Sequence, residues 1–271
     1  MIRLGHIDYS NCVPVHARLL ADAPADVQVR RGVPSELNRA LAAGEIDAAP
    51  CSSIEYARHA AEYRVLPFAI ASRGAVQSIL FESRLPPASL DGARVALPSA
   101  SATSVVLLRI LLQRHWHVRP HFVGFEQTRE DPFAAGADAA LWIGDVALRR
   151  TPPAAHEVHD LGQVWLDWSG LPFAFALWQV RRELPDADVA RLAALLHDSR
   201  QWFLERRPEL AEQYSAGFGL GPRRLLRYWD SLVYELSDDV ERGLLHFLAL
   251  AAELGHAPLL TAIERVPARG R

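Results

Sequence analysis

Asn11, Ser52, Ser53, Ser78, Ser99, Ser101, Thr103 and Ser104 are the residues of this chain whose types and positions can do chemistry. All are neutral hydroxyls or an amide, groups that donate and accept hydrogen bonds without titrating. Each lies where a short apolar run gives way to a turn, loop or helix-like segment. The first N–H groups of a helix have no partner within it, and the dipole is positive at that end, so such turns are places to meet an anion. The fullest case is Val95-Ala96-Leu97-Pro98-Ser99-Ala100-Ser101-Ala102-Thr103-Ser104, a strand, a hydroxyl turn and the start of a helix carrying Val105, Val106, Leu108, Leu111 and Leu112. Helix capping alone accounts for part of this pattern, there and at Ser52 and Ser53. Asn11 follows the first strand, within Asp8-Tyr9-Ser10-Asn11-Cys12-Val13-Pro14, where open α/β sheets meet ligands; a turn amide bonded to its own backbone is the alternative. Ser78, with Gln77, interrupts an apolar run and needs partners. Taken together, the set fits a small anionic molecule held between two lobes by neutral donors.

Composition removes other chemistries. All 29 basic residues are Arg, which excludes Schiff-base chemistry on Lys, a lysine-anchored pyridoxal phosphate and a Walker phosphate loop. Net charge is −3 with no basic block, so nucleic acid is not expected as a partner. No run approaches the roughly 18 apolar residues of a membrane helix. Met1–Ile7 reads directly into a strand, with no charged leader or cleavage site, and a cytoplasmic location is expected. Cys12 and Cys51 are the only cysteines and read as small buried residues; neither shows a neighbouring His that would make it a nucleophile. His115 with His117, and His156 with His159, lack the carboxylates and spacing of a metal site, so no metal is expected. No G-x-S-x-G and no glycine-rich dinucleotide fingerprint occurs.

The elements that position these residues alternate strand and helix. Ile2–Ile7, Val27–Arg30, Ile46–Pro50, Val65–Ala71 and Ala75–Phe81 have strand length and composition, and a helix over Ser35–Ala43 has Pro34 at its start and Gly44 at its stop. His16 belongs on the helix after the first strand, at the surface or partly buried. Arg84–Asp91, with Pro86, Pro87 and Gly92, reads as a linker to a second α/β unit. There Gly136, Asp138 and a small-residue strand echo Gly44, Asp47 and theirs. Asp160–Gly162 and Trp165–Gly170 read as loop, and Leu171–Trp178 as a strand returning to the first lobe. From Asp186 onward the periodicity is helical, with Arg223 and Arg224 covering a helix face; this tail packs and takes no part in chemistry.

An ordered set of residues then resembles a known family. It comprises Gly5–Tyr9, Asn11 and Pro14; Gly32, Pro34 and Leu37-Asn38; Gly44–Asp47 with Ser52-Ser53; Gly74 with Ser78; Ser101–Ser104; Ile143-Gly144-Asp145; and Leu171-Pro172-Phe173 with Trp178. In order, from about residue 3 to 178, these are similar to chorismate dehydratase of the futalosine route to menaquinone. The resemblance implies a type II periplasmic-binding-protein-like α/β fold, with a ligand cleft between two lobes and a helical C-terminal tail. The lobes are expected at 1–84 plus 174–271 and at 85–173. It also implies that chorismate loses water to become 3-[(1-carboxyvinyl)oxy]benzoate, an aromatising elimination that requires no cofactor. Asn11 is expected at the reacting centre, with a substrate carboxylate or water as proton acceptor and Asp145 as either the protein's own alternative base or a buried structural carboxylate. Ser101, Thr103 and Ser104 would bind one carboxylate, and Ser52, Ser53 and Ser78 the rest of the substrate. Cys12 departs from the family's pattern. The alternatives are the 1,4-dihydroxy-6-naphthoate synthase of the same route, for which a His base is expected, and a non-catalytic small-anion binder.

Overall fold

β1 (Ile2–Ile7) is buried on both faces, as suits a strand inside a parallel sheet with helices above and below. The computed structural model of the chain describes residues 1–266. A 3₁₀ turn over Ser10–Cys12 leads from β1 into α1 (Val13–Ala21), where Pro14 sits in the first turn and its missing N–H leaves no bond unmade. β2 (Val27–Gly32), α2 (Pro34–Ala42), β3 (Ala48–Ser52) and α3 (Ser53–Arg58) follow, with β2 and β3 both parallel to β1. The carboxyl ends of β1 and β3 therefore lie side by side, and Asn11 and Ser52 project from neighbouring strand ends. β4 (Tyr63–Ser72) completes the first pass through this sheet.

The chain then crosses to a second sheet. β5 (Ile79–Ser83), β6 (Arg94–Pro98), α4 (Thr103–Ile110, continued by a π turn over Leu111–His115), β7 (His121–Phe125), β8 (Ala139–Ile143), α5 (Gly144–Arg149), β9 (Glu157–Asp160) and α6 (Leu161–Ser169) form it, in the strand order β7-β6-β8-β5-β9. β10 (Phe173–Arg181) returns antiparallel between β3 and β4, as expected of the Leu171–Trp178 run. α7 (Asp186–Glu205), α8 (Arg207–Phe218), α9 (Pro222–Ser231), β11 (Val233–Glu235) and α10 (Asp238–Glu253) close the described chain, and the first sheet reads β11-β4-β10-β3-β1-β2.

Four expectations are corrected. β5 pairs with β8 and β9, so residues 79–83 belong to the second sheet, and the division falls in the Arg73–Ser78 crossover, ahead of the expected 84/85 boundary. Ala75–Ser78 is not strand: Gln77 turns with φ of 64°, and the Asp160 carboxylate accepts from Val76 N at 2.9 Å and Gln77 N at 2.6 Å. Asp160 also caps α6 through Gly162 N at 2.9 Å, which makes a helix of the stretch read as loop. Gly162 packs so tightly there that a Cβ would stand 2.5 Å from the Gly74 carbonyl. His16 is fully buried rather than superficial, because α1 packs it against β10. No helix of the described residues is long and apolar enough to cross a membrane.

Candidate active site between the lobes

The turn after β1 is held from three directions. Ser10 donates its N–H and its hydroxyl to the Asp145 carboxylate across the lobe boundary, with the N–H 3.2 Å from Oδ2. Its carbonyl accepts from Trp229 Nε1 at 2.8 Å. Tyr9 lies on Gly144, where φ is 61° and a Cβ would come within 3.3 Å of the ring, so only glycine lets α5 begin here. Next to this well-bonded serine, Asn11 Oδ1 is buried with no hydrogen-bond partner in the protein. The Asn11 side chain borders the Tyr228 hydroxyl, which donates to Ser78 Oγ at 2.9 Å. Ser78 in turn accepts Gly144 N on its carbonyl at 2.8 Å. Asn11, Ser78 and Asp145 thus form one cluster, assembled from the first strand end, the crossover and the second lobe.

A second cluster forms at the start of α3 and α4. Ile54 N donates to Thr103 Oγ1 at 3.1 Å, so a hydroxyl of the second lobe caps a helix of the first. Ser53 donates to the Ala174 carbonyl at 2.7 Å, and Ser101 Oγ accepts from Ser104 N at 3.3 Å. Ser52 and Ser101 keep partly exposed side chains, whereas Ser53, Thr103 and Ser104 are buried. All eight expected residues therefore stand at or beside the junction of the lobes, but Ser53 and Thr103 already serve the frame.

Burial dominates the electrostatics. It pushes the Asp145 carboxyl above the usual range, against the bonds from Ser10 and the charge of Arg149, which favour ionisation. The Tyr228 phenol is raised by the same cause and stays protonated. Burial likewise raises both thiols, so Cys12 and Cys51 are not thiolate nucleophiles. On the β1 side, Trp178 Nε1 donates to His16 Nε2 at 2.8 Å, and His16 Nδ1 lies 2.9 Å from His6 Nδ1. Indole can only donate, so neutral His16 passes its Nδ1–H to His6, and His6 carries its proton on Nε2. Burial lowers His6 to about 4, and His16 also falls, with the nearby His6 adding to its shift.

A cleft of about 470 Å³ adjoins the first cluster, lined by His6, Asp8, Tyr9, Arg31, Gln127 and Asp145 with residues of α5 and α8. Of the expected residues only Asp145 reaches it. No group of three or more His, Cys, Asp or Glu converges among the described residues. His156 bonds buried Glu82 instead, and His115 and His159 pack against Trp116. The tail contributes more than the sequence indicated. Tyr228 and Trp229 of α9 reach the Asn11 turn, Arg224 donates to the Leu148 carbonyl, and Arg149 donates to the Phe218 carbonyl at 2.7 Å. Helical periodicity put Trp229 on an apolar face and gave Tyr228 no place; nothing local told which polar tip would find which loop.

A family model described as "Menaquinone biosynthesis" matches residues 2–253. The chain belongs to this family. It is also 34% identical to a chorismate dehydratase from Thermus thermophilus over 274 residues, spanning 94% of this chain and 97% of that protein. Among solved structures, a protein from Archaeoglobus fulgidus superposes with a TM-score of 0.79 at 20% identity, covering 94% of this chain and 97% of the other. The periplasmic aliphatic sulphonate binding protein SsuA from Escherichia coli does so with a TM-score of 0.67 at 14% identity, covering 100% and 94%. The fold is therefore that of the periplasmic binding proteins, two α/β lobes facing one another, as the sequence resemblance implied.

Proposed function

We propose that the chain is a cytoplasmic chorismate dehydratase of menaquinone biosynthesis, a hydro-lyase converting chorismate to 3-[(1-carboxyvinyl)oxy]benzoate and water. The observation that carries the reading is the near full-length likeness to the Thermus thermophilus chorismate dehydratase. The Asn11 cluster supplies it with a site. The reaction removes one ring hydrogen and the ring hydroxyl, and the gain is aromaticity, so oxidation state is conserved and no redox group enters the balance. What the protein must do is hold a dicarboxylate, orient the ring and assist the departing hydroxyl.

In this reading Asn11 sits at the reacting centre. Its unpartnered Oδ1 accepts from the hydroxyl, or its amide donates to that oxygen as charge develops there, a role for preorganised neutral donors. Ser78 and Ser52 contact the substrate from the first lobe and crossover, and Ser101 and Ser104 hold a carboxylate at the start of α4. Asp145, expected as a candidate base, already accepts from both the N–H and the hydroxyl of Ser10. It is assigned here to drawing the lobes together, and the ring proton goes to a substrate carboxylate or water. Thr103 joins it as the second tie between lobes.

The test is direct. Purified protein incubated with chorismate should bleach the absorbance of its conjugated diene and release the aromatic product in equal amount. Unchanged chorismate at high enzyme concentration would overturn the assignment.

A further inference from the structure

Tyr228 and Trp229 are consecutive residues of α9, and both are almost fully buried. Consecutive helical positions point about 100° apart, yet these two grip one turn from two sides. Trp229 takes the Ser10 carbonyl, while the Tyr228 oxygen meets Ser78 Oγ and borders Asn11. Edge contact of Phe203 with the Trp229 ring, at 4.9 Å between centroids, and the bond from Ser231 Oγ to the Tyr228 carbonyl at 2.7 Å fix α9 itself. The Tyr228 ring would fill its place in the core without an oxygen. That oxygen serves two side chains, and both belong to the candidate site.

We propose that Tyr228 is a positioning residue for the interlobe site: its hydroxyl holds the Asn11 amide and the Ser78 hydroxyl in a single arrangement. The hydrogen bonding gives the arrangement a direction. Tyr228 donates to Ser78 Oγ, so the Ser78 hydrogen is left for a bound substrate, while Asn11 Oδ1 keeps no partner in the protein. Trp229 fixes the backbone on which Asn11 turns. Because the buried phenol stays protonated, Tyr228 works as a donor and not as a base. The kinetic half of this proposal rests on the dehydratase reading, and the structural half does not.

Tyr228→Phe tests both. With chorismate, kcat should fall about 10- to 100-fold, the range of a small misplacement of reacting groups, while KM stays within about threefold and the melting temperature within a few degrees. Combined with Ser78→Ala, the loss in kcat should be much less than the product of the two single losses. Asn11 and Asn38 are the only asparagines in the sequence, so ¹⁵N-asparagine labelling yields two side-chain amide pairs in the NMR spectrum. The Asn11 pair should shift or broaden in Tyr228→Phe and in Ser78→Ala, while the Asn38 pair stays in place. A kcat within twofold of wild type together with an unmoved Asn11 pair overturns the proposal, as does a loss expressed only in KM. If wild-type protein leaves chorismate intact, the dehydratase reading fails by itself. The Asn11 amide signals in the two variants, each of which removes one partner, then decide the positioning role alone: movement upholds it and stillness overturns it.

Discussion

Two strand-to-helix turns face the junction of the lobes, and they differ in how fully their polar atoms are paired. The turn after β6 carries Ser99, Ser101 and Thr103, and each side chain has a partner in the protein. Ser99 donates to Glu126 at 2.9 Å, Ser101 accepts from Ser104 N and Thr103 accepts from Ile54 N. The turn after β1 carries one amide whose Oδ1 has no protein partner, although it is buried. Buried polar groups are nearly always paired, and the exceptions require a reason. Richness in donors marks a well-built turn. In the proposed function, the unmatched acceptor at Asn11 is where the substrate binds.

The largest expected effect follows from that contrast. Asn11→Ala should lower kcat for chorismate by about 10²–10³-fold, the loss seen when a preorganised donor at the reacting centre is removed. It should not lower the melting temperature, because leaving a buried polar atom unpaired opposes folding by about 1–3 kcal/mol. Steady-state kinetics and a thermal melt on one preparation check both halves. A variant that turns over normally but melts early would make Asn11 the structural residue and break the comparison.

The His6–His16–Trp178 chain sharpens it from the other side, since these buried groups pair with one another, but only while both imidazoles are neutral. His6 falls from its ordinary 6.5 to about 4 in the folded protein, so the unfolded chain binds the extra proton first as pH drops. Stability is therefore present above pH 6.5 and is lost as pH falls toward 4, by about 3 kcal/mol from His6, and His16 acts in the same direction. Denaturant titrations at pH 7 and pH 4.5 should show this loss, and it should shrink in His6→Gln. An equal acid loss in that variant would assign it to other groups.

The strand ends and hydroxyl turns were legible because they are local. Alternating composition, Pro34 and Gly44 mark the first lobe's elements within one or two residues, and the apolar run from Phe173 to Trp178 announces its return to the first sheet. What the sequence concealed is long-range pairing. Asp160 closes the crossover at Val76 and Gln77, more than eighty residues away, which turned a strand-like run into a turn and a loop-like run into α6. His16 looks superficial until β10 supplies Trp178. Tyr228 lies 150 residues from Ser78, and a helical tail with an ordinary apolar face gives no local sign that its phenol completes a site.

A smaller effect separates ties between the lobes from contacts with substrate. Thr103→Ala leaves Ile54 N without its acceptor and loosens the junction without touching Asn11. KM for chorismate should rise about 5- to 10-fold, equivalent to about 1 kcal/mol, with kcat within about threefold. Thr103→Ser, which keeps the oxygen, should restore KM. A collapsed kcat at unchanged KM would place Thr103 at the reacting centre.

The smallest effect is also the most discriminating within the hydroxyl turn. Ser99 is exposed and its hydroxyl bonds only the Glu126 side chain, so Ser99→Ala should shift stability by less than about 0.5 kcal/mol and leave both kinetic constants within twofold. Ser99 shares the turn's composition with Thr103 but does not tie the lobes together. If the turn acted as an anion cradle through the sheer number of its hydroxyls, losing any one of them would raise KM by a similar factor, and Ser99→Ala would match Thr103→Ala. A clear gap between the two variants means that the turn works through the one oxygen that spans the lobes, which leaves the unmatched acceptor at Asn11 as the chemical feature of the junction.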